Sequence, residues 1–488
     1  MTTIENRLQA YINGRSCELL GLGVSHLPLA KLLCDMGVPL TVRDKKPLSE
    51  LGEDALALAE RGVRFVTGET CFDDLDGELI FRSPGIRPDR AGLPAAVERG
   101  AELTGEIELF LHLTDADTFA VTGSDGKTTS TTLTGLFLKA QAERTAHGQV
   151  FVGGNIGTPL LDRLPLVSKD DRAVLELSSF QLMTLRDAPR FAAITNLSPN
   201  HLDWHTDMAE YLAAKEHIIG ENTERLVTNA DNETTAHLAE NLLTRRAKGE
   251  KAPALVLFSS TKTAFSALFP QGAGEGDRAL YLRDGYIVLS DGKGETALLD
   301  TRRIRVPGRH NIENFMTAIG LTLGSVAPAV YGEVADTFCG VAHRLEHVRT
   351  LDGVDYYNSS IESSPSRTAA ALSALAGRDI VIICGGYDKH IPFAPLAESL
   401  CRHARAVVLT GATAATIGQA LIAYAPDEAD RPTVVYRPDF ADAIRAARSL
   451  SHKGGCVLLS PACASFDAFR NFAERGNTFR RIVENFEN

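Results

Sequence analysis

The segment AVTGSDGKTTST at residues 120–131 has the composition of a loop that binds phosphate. Its glycines let the backbone wrap around phosphate oxygens, and the start of the following helix presents unpaired N–H groups to an anion. Lys127 can supply a positive charge to the terminal phosphates, and the hydroxyl of Thr128 can bind magnesium. Val121 stands where G-x-x-x-x-G-K-[ST] has its first glycine, so we interpret the segment as a shortened nucleotide loop. The alternative is a glycine turn with a solvated lysine.

A second glycine turn, Gly21-Leu22-Gly23-Val24-Ser25-His26, lies near the start of the chain. His26 occupies the place of the third glycine of a dinucleotide-binding turn, whereas Asp44 follows about 20 residues later, as a ribose-binding acid would. The residues leave three interpretations open: a nicotinamide cofactor, a different nucleotide at the helix N-terminus, or a turn that is only structural.

Several charged side chains and histidines are candidate metal or phosphate ligands. Glu176 ends the apolar segment AVLEL, where a carboxylate suits magnesium but also suits the cap of a helix. His201 and His205 have the i, i+4 spacing of a zinc pair, but neither H-E-x-x-H nor a third ligand accompanies them, which favours a structural role. Lys215 lies in the amphipathic segment MAEYLAAKEHII, where most lysines are solvated. Arg344 could clamp a phosphate, although a surface arginine near a linker is the stronger interpretation.

These candidates are positioned by a chain in which short apolar runs alternate with helical patterns, which is typical of parallel α/β layers. In the first block, which ends near residue 114, we predict a helix at 26–36 and strands at 17–20, 39–42, 63–66 and 78–81. In the second we predict a helix at 129–140 and strands at 118–121, 173–177, 191–195 and 225–228. We interpret residues 255–299 as short antiparallel hairpins, because turn signals interrupt an alternating pattern.

A third block has strand-like runs at 380–384, 406–409 and 456–459, each followed by a loop of small residues. Ligands of open α/β sheets bind at the carboxyl ends of strands, so these loops are candidate binding sites. About three domains also agree with the length of 488 residues, at about 100–200 residues per domain.

Composition disfavours several other classes of protein. The net charge of -12 argues against general nucleic-acid binding, which needs a basic face. The eight scattered cysteines form no C-x-x-C and indicate a reduced, cytoplasmic protein. The first residues, MTTIENRLQA, lack the apolar region of a signal peptide, and no apolar run is long enough to span a bilayer, so we expect no membrane association.

The segments TGSDGKTT, LELSSFQL, NLSPNHLDWH, AAK, GRHNIEN and AHR, in this order, resemble the Mur ligase family. LSPACASFDAFRNFAERGNTF, with SPGI at 83–86 and GGNIG at 153–157, resembles its D-glutamate-adding branch. The resemblance covers essentially the whole chain. It implies three α/β domains: a Rossmann-like UDP-sugar domain at 1–114, a central P-loop ATPase with a mostly parallel sheet at 115–340, and a Rossmann-like amino-acid domain at 341–488.

The resemblance also implies a reaction. ATP phosphorylates the carboxylate of UDP-N-acetylmuramoyl-L-alanine, the amine of D-glutamate attacks the acyl phosphate, and ADP and phosphate leave. Magnesium is the implied cofactor. The implied setting is cytoplasmic peptidoglycan synthesis, and with it cell-wall growth, cell shape and cell division. We expect a monomer.

Carried over to the matching positions, the resemblance implies four groups of site residues. Catalysis and metal binding involve Lys127 for the transferring phosphoryl group and Thr128, Glu176, His201 and Lys215, the last as a carbamate. ATP binding involves Gly123, Ser124, Asp125, Gly126, Lys127, Thr128, Thr129, Asn311, Asn314, His343 and Arg344. The UDP-sugar is held by Ser25, Asp44, Lys46, Ser83, Asn155 and Gln181. D-glutamate is held by Ser363, Lys389, Ser465 and Phe472.

Two departures from the family pattern concern fine specificity. In NSSIESSPSRT, Ser359 stands where the family often has aspartate and Ile361 where it has lysine, whereas Ser363 keeps the hydroxyl. Asp125 replaces a loop asparagine and Asn200 replaces an acid, so these two changes nearly cancel in charge.

Two alternatives to a D-glutamate ligase remain: another amide ligase with different substrates, and a protein that binds nucleotide without ligase activity. A sister amide ligase, such as a folylpolyglutamate synthase or another amino-acid-adding member of the family, is disfavoured by LSPACASFD and by the first block. A related amidotransferase subunit would carry a four-cysteine zinc ribbon, and no such spacing occurs. A nucleotide-dependent switch or binding module would need the phosphate loop but not Lys389 or Ser465.

Overall fold

The computed structural model describes residues 3–23, 26–90, 92–156, 159–201, 204–389 and 391–487, apart from the side chains of residues 3 and 4. In this part of the chain, helices accompany three mostly parallel sheets, which confirms the predicted α/β class. The chain separates into two compact units. One consists of Met1–Arg303 and Arg309–Ala335, and the other of Ile304–Gly308 and Asp336–Asn488.

The first sheet has five parallel strands, β1 Cys17–Leu20, β2 Leu40–Asp44, β3 Arg64–Thr67, β4 Leu79–Arg82 and β5 Glu102–Thr104. Its helices are α1 Thr3–Ile12, α2 His26–Asp35, α3 Glu53–Glu60 and α4 Leu93–Glu98, and α5 Glu106–Leu113 leads to the second sheet. The strand order is β3-β2-β1-β4-β5. Because the order reverses at β1, a crevice forms at the carboxyl ends of β1 and β4.

The second sheet has nine strands, β6 Asp117–Thr122, β7 Val150–Gly154, β8 Arg172–Glu176, β9 Phe191–Ile194, β10 Arg225–Asn229, β11 Ala254–Ser259, β12 Arg278–Arg283, β13 Tyr286–Ser290 and β14 Glu295–Asp300. Its helices are α6 Lys127–Thr145, α7 Ser179–Leu182, α8 Met208–Glu216, α9 Glu233–Ala247, α10 Phe265–Leu268, α11 Arg309–Thr322 and α12 Pro328–Ala335. The order β14-β13-β12-β11-β10-β9-β6-β8-β7 places β6 between β9 and β8. The loops that follow these three strands therefore meet at one edge of the sheet.

The prediction of hairpins over residues 255–299 is wrong for its first part. β11 pairs in parallel with β10, and β12 pairs in parallel with β11. Only β12, β13 and β14 form an antiparallel meander. Leu255–Phe258 is a continuous buried run, which is typical of a parallel strand covered on both faces.

The third sheet has six strands, β15 Glu346–Leu351, β16 Val354–Asn358, β17 Ile380–Cys384, β18 Ala404–Leu409, β19 Thr433–Tyr436 and β20 Cys456–Leu459. Its helices are α13 Pro365–Ala374, α14 Ala394–His403, α15 Ala414–Tyr424, α16 Phe440–Leu450 and α17 Phe472–Glu484. In the order β15-β16-β20-β17-β18-β19, only the pair β15–β16 is antiparallel. The predicted bounds of β1, β17 and β20 are confirmed. No helix among the described residues is both long and apolar enough to cross a membrane.

Candidate active site

The predicted phosphate loop joins the end of β6 to the start of α6. Gly123 has a φ of 144°, and a Cβ at this position would lie 1.9 Å from Thr195 Oγ1, so glycine is required. The N–H of Ser124 donates to the carbonyl of Asn196, and the N–H of Asp125 donates to Oδ1 of the same asparagine, both at 2.9 Å. The loop is therefore held against the chain that follows β9.

The start of α11 packs against the same loop. Asn314 is buried, its Oδ1 accepts a hydrogen bond from Ser130 Oγ (3.2 Å), and its Nδ2 donates to Asn311 Oδ1 (3.3 Å). Gly126 has a φ of 77°, and a Cβ there would lie 2.3 Å from Asn314 Oδ1. The structure therefore brings both predicted nucleotide asparagines to the phosphate loop.

Lys127 is the first residue of α6, and its ammonium group lies over the loop that precedes it. Its Nζ donates to the carbonyls of Gly123 and Ser124, both at 2.9 Å. Thr128 and Thr129 follow in the first turn, where N–H groups have no partner within the helix and the helix dipole is positive. This combination of a cation and a helix N-terminus suits the terminal phosphates of a nucleotide.

Glu176 is the last residue of β8, beside the phosphate loop, and is 2% exposed. Its Oε1 accepts a hydrogen bond from Asn155 Nδ2 at 3.0 Å, whereas its Oε2 is buried without a hydrogen-bond partner among the described residues. The alternative of a surface acid capping a helix is wrong, since Ser178 caps α7. A buried carboxylate with an unpaired oxygen is a suitable cation ligand.

Lys215 is buried at the same edge of the sheet, although the sequence offered a solvated lysine as the ordinary interpretation. It is 1% exposed, and its Nζ donates to Thr122 Oγ1 at 3.0 Å and lies 4.9 Å from the centre of the Tyr211 ring. Burial and the charge of Lys127 lower the pKa of the Lys215 amine well below its usual range, although Glu176 opposes this. Burial therefore shifts this amine towards its neutral form.

His201 and His205 do not share a metal site. His205 is buried, and its Nδ1 and Nε2 are hydrogen-bonded to the Glu210 carboxylate (3.1 Å) and to Ser179 Oγ (2.9 Å), so both ring nitrogens are engaged. Burial lowers the pKa of His205. His201 is exposed, has a φ of 54°, and its ring centre lies 5.1 Å from that of Phe180. The described residues hold no group of three or more His, Cys, Asp or Glu placed for a metal ion.

The first glycine turn lies at the crevice between β1 and β4. Asp44 reaches into it: its Oδ2 accepts from the N–H of Leu22 (2.8 Å) and its Oδ1 accepts from the N–H of Lys46 (3.0 Å). A Cβ on Gly21 would lie 3.3 Å from the Cβ of Ser83. Three of the predicted UDP-sugar residues, Asp44, Lys46 and Ser83, therefore surround one turn.

The other predicted UDP-sugar residues lie elsewhere in the same compact unit, except for Ser25, which is outside the described residues. Asn155 follows β7 and contacts Glu176. Gln181 forms the capping box of α7, because its Oε1 accepts from the N–H and Oγ of Ser178, both at 2.9 Å. The sequence motif did not indicate that Gln181 has this second, structural role.

In the second compact unit, the neighbouring strands β16, β17 and β20 bring the predicted D-glutamate residues to one edge. Lys389 Nζ donates to Ser363 Oγ at 3.2 Å. Ser465 is buried in the loop after β20. Phe472 begins α17 and is 39% exposed, and its carbonyl accepts from Ser360 Oγ at 2.8 Å. A cation and hydroxyl groups beside an open face suit a small dicarboxylate.

Arg475 ties two of these loops together and was missed by the sequence reasoning. Its guanidinium donates to Ser360 Oγ (3.0 Å), to the carbonyl of Ser360 (2.9 Å) and to the carbonyls of Cys463 (3.1 Å) and Ala464 (3.0 Å). Burial lowers the pKa of Arg475 to about 10, so it remains a cation at neutral pH. The available signal was the single arginine within FAERGNTF.

His343 and Arg344, predicted to bind nucleotide, belong to this second unit. His343 Nδ1 lies 3.0 Å from Asn358 Nδ2, and its ring centre lies 5.8 Å from that of Phe472. Burial lowers the pKa of His343. Arg344 is half-buried, and its Nε has no hydrogen-bond partner among the described residues. Their contact with a nucleotide stays a prediction.

The departures from the family pattern have local explanations. Ser359 is buried, and its Oγ accepts from the N–H of Leu345 at 3.0 Å, so it fixes the turn after Arg344. Asn200 Oδ1 accepts from the N–H of His201 at 2.9 Å, and Asp125 is exposed on the phosphate loop. Nothing in the structure explains the isoleucine at 361.

Two family models match this chain. The Mur ligase middle domain matches residues 121–322, which contain the phosphate loop, and the Mur ligase glutamate ligase domain matches residues 343–463. Two solved structures share the fold: a UDP-N-acetylmuramate-alanine ligase of Thermotoga maritima (TM-score 0.52, 19% identity, 96% of this chain and 98% of that one) and a UDP-N-acetylmuramoyl-L-alanyl-D-glutamate--2,6-diaminopimelate ligase (TM-score 0.53, 16% identity, 91% and 92%). The chain belongs to the Mur ligase family.

Within this family, similarity extends along the full length of one named group. A UDP-N-acetylmuramoylalanine--D-glutamate ligase of Ruminiclostridium cellulolyticum is 39% identical over 99% of this chain and 100% of its own. A protein of the same name from Clostridium novyi is 40% identical over 98% of this chain and 99% of its own. A third, from Acetivibrio thermocellus, is 38% identical over the whole of both chains. These relatives confirm the predicted resemblance to the D-glutamate-adding branch.

Proposed function

We propose that this protein uses ATP to join D-glutamate to the carboxylate of UDP-N-acetylmuramoyl-L-alanine, in the cytoplasmic synthesis of peptidoglycan precursors. The observation that carries the proposal is the convergence, at one edge of the second sheet, of a phosphate loop, a buried carboxylate at Glu176 and a buried amine at Lys215. Full-length similarity to relatives named UDP-N-acetylmuramoylalanine--D-glutamate ligase supports the substrates.

The proposed reaction has two steps. A carboxylate oxygen of the acceptor attacks the γ-phosphorus of ATP, and the bond to ADP breaks. The amine of D-glutamate then attacks the acyl carbon, the bond to phosphate breaks, and the nitrogen loses a proton to give the amide. Lys127 and the first turn of α6 stabilise the charge that develops on the transferring phosphoryl group.

The residues present fit a magnesium ion. Glu176 offers a buried oxygen without a protein partner, and the hydroxyl of Thr128 lies at the start of α6. We propose that Thr128, Glu176, His201 and a carbamate on Lys215 serve the metal, together with phosphate oxygens of ATP. When bound, magnesium would neutralise phosphate charge.

Lys215 has the property that carbamate formation requires. A neutral amine attacks CO2, the nitrogen–carbon bond forms, and a proton leaves, which converts a potential cation into an anion. Burial and the charge of Lys127 favour the neutral amine by lowering the pKa of Lys215. Without modification, Lys215 would place a second amine beside Lys127, where a metal site is better served by a negative group.

The two substrates have separate proposed subsites. Ser25, Asp44, Lys46 and Ser83 hold the uridine diphosphate, and Asn155 and Gln181 hold the muramoyl-alanine. Ser363, Lys389, Ser465 and Phe472 hold D-glutamate, with Lys389 as the cation for a carboxylate. His343, Arg344, Asn311 and Asn314 contact the nucleotide. We propose domain boundaries near residues 114 and 340 and a monomeric enzyme.

The direct test is release of phosphate from ATP and magnesium in the presence of UDP-N-acetylmuramoyl-L-alanine. D-glutamate, L-glutamate, D-aspartate, L-lysine and no amino acid are compared, and the amide product is measured by mass. We expect release only with D-glutamate, matched by product. Release that prefers another amine would indicate a sister ligase. ATP binding without release would favour a nucleotide-binding module.

A further inference from the structure

Arg82, the last residue of β4, connects two loops through one guanidinium group. On one side its Nη1 donates to the carbonyls of Ile86 (2.6 Å) and Pro84 (3.1 Å), within the loop that follows β4. On the other side its Nη2 donates to the carbonyl of Phe180 (2.7 Å) and to Thr184 Oγ1 (3.3 Å), at α7. The side chain is 3% exposed. A rigid, planar group with donors on both sides holds two segments at a fixed separation.

The two segments carry different parts of the proposed acceptor site. The loop after β4 contains Ser83, proposed to contact the uridine diphosphate, and α7 contains Gln181, proposed to contact the muramoyl-alanine. Both segments belong to the same compact unit. The distance between the two segments should therefore match the distance between the uridine diphosphate and the muramoyl-alanine of the acceptor.

The surroundings of Arg82 offer no substitute for its charge. It lines a cavity of about 30 Å³ with His26, Glu106, Glu108 and Gln181, large enough for about two water molecules. Among the described residues that line this cavity, Arg82 is the one cation, because burial lowers the pKa of His26 to about 4 and keeps the ring neutral. Loss of Arg82 would leave carbonyl oxygens of both segments without a charged donor.

We propose that Arg82 is a positioning residue for the acceptor. It sets the separation between the two segments that hold the two ends of the UDP-sugar peptide. Both segments can then bind one acceptor molecule at once, so the binding free energies of the two ends add. This inference rests on the proposed function. Arg82 itself need not touch the substrate.

The test compares Arg82→Met and Arg82→Lys with the wild-type enzyme. For Arg82→Met we expect the KM for UDP-N-acetylmuramoyl-L-alanine to rise about 10-fold, the scale of lost hydrogen bonds to a charged group, with the KM values for ATP and D-glutamate within about twofold. Arg82→Lys should recover part of the loss, since lysine keeps the charge but not the two-sided geometry.

Calorimetry provides a readout that does not depend on turnover. Of the two segments that Arg82 joins, UDP alone should contact only the one after β4, so its Kd should change less than the Kd of the complete acceptor. In Arg82→Met the affinity advantage of the complete acceptor over UDP should fall about 10-fold. An unchanged advantage would overturn the proposal, even if turnover were lower.

Arg225 provides the matched control. It is a half-buried arginine whose Nη1 donates to the carbonyls of Leu321 (3.2 Å) and Leu323 (2.9 Å), at the other end of the second sheet. Arg225→Met should lower Tm without a selective change in the acceptor KM. If Arg82→Met behaves in the same way, Arg82 is only structural and the proposal fails.

Two further outcomes are separable. If Arg82→Met does not fold, Arg82→Lys decides, because an acceptor KM equal to that of the wild type would contradict the positioning role. Arg87 also attaches the loop after β4, through an ion pair of 2.8 Å with Glu210, which favours folding of the variants. If wild-type protein releases no phosphate with D-glutamate, the proposed function fails, whereas the calorimetric comparison still tests Arg82.

Discussion

The glycine turns after β1 and after β6 occupy equivalent places, but protein atoms surround their glycines to different extents. Each follows a buried parallel strand and opens a helix. The second turn is enclosed by protein, because a Cβ on Gly123 or Gly126 would meet Thr195 or Asn314. The first is open at Gly23, where a Cβ would have no neighbour within 4 Å among the residues that the structure describes. The fold thus demands glycine at Gly123 and Gly126, whereas Gly23 leaves room for a ligand.

The two turns also differ in the charge of the side chain that lies beside them. The second carries Lys127 over its loop, whereas the first has the carboxylate of Asp44 hydrogen-bonded to the N–H of Leu22. An anion beside a turn disfavours phosphate at that point and favours groups that donate hydrogen bonds, such as a ribose or a base. Two glycine turns at equivalent places, each between a buried strand and a helix, therefore suit two different kinds of recognition.

The largest expected effect is on catalysis, and it distinguishes the second turn, which should act on kcat, from the first, which should act on substrate binding. Lys127→Ala should lower kcat about 100- to 1000-fold, because it removes a preorganised charge from the phosphoryl group. Lys46 is the matched cation beside the first turn, and Lys46→Ala should instead raise the KM for the UDP-sugar. Phosphate release measures both, and a Lys127→Ala enzyme within a few-fold of the wild type would refute the loop assignment.

The next effect is a dependence of stability on pH that comes from His26, beside the first turn. Burial lowers the pKa of His26 to about 4, whereas the unfolded residue titrates near 6.5. The folded state therefore lacks a proton that the unfolded state binds, so stability falls as pH decreases from 6.5 towards 4, by up to about 3 kcal/mol. His26→Gln should remove this loss. Tm curves against pH that run parallel for the two proteins would contradict it.

A smaller effect tests the carboxylate of the first turn. Asp44→Ala removes the acceptor for the N–H groups of Leu22 and Lys46 and should raise the KM for the UDP-sugar about 10-fold, with little change in the KM for ATP. Asp44→Asn retains an acceptor oxygen and should lie between the two. If the KM for ATP rose instead, the roles of the turns would need to be exchanged.

The smallest effect tests the openness of the first turn. Gly23→Ala adds a methyl group that meets no atom of the described part of the chain within 4 Å, so Tm should stay close to that of the wild type, with a stability change within about 0.5 kcal/mol. Any rise in the KM for the UDP-sugar would then report contact with the ligand. A large fall in Tm would show that the fold itself requires this glycine.

Much of the fold and part of the site could be predicted from the sequence. Apolar strands and glycine turns are local signals, and they predicted β1, β17 and β20 and the phosphate loop. The burial of Lys215 could not be predicted from residue types, because it depends on packing against Thr122, far away in the chain. The same holds for Asn314 against Gly126 and for Arg475 across its loops. The sequence predicts a hairpin strand at β11, because the local pattern does not show the long-range pairing of β11 with β10.

The burial of Lys215 also determines where its chemistry can be detected. The carbamate proposed for Lys215 would persist only while the protein keeps it away from bulk water. Unfolding would expose it to solvent, where protonation of its nitrogen would release CO2. Peptide mapping after acid denaturation should therefore report an ordinary lysine, whereas folded protein under ¹³C-labelled bicarbonate should show a distinct carbonyl resonance.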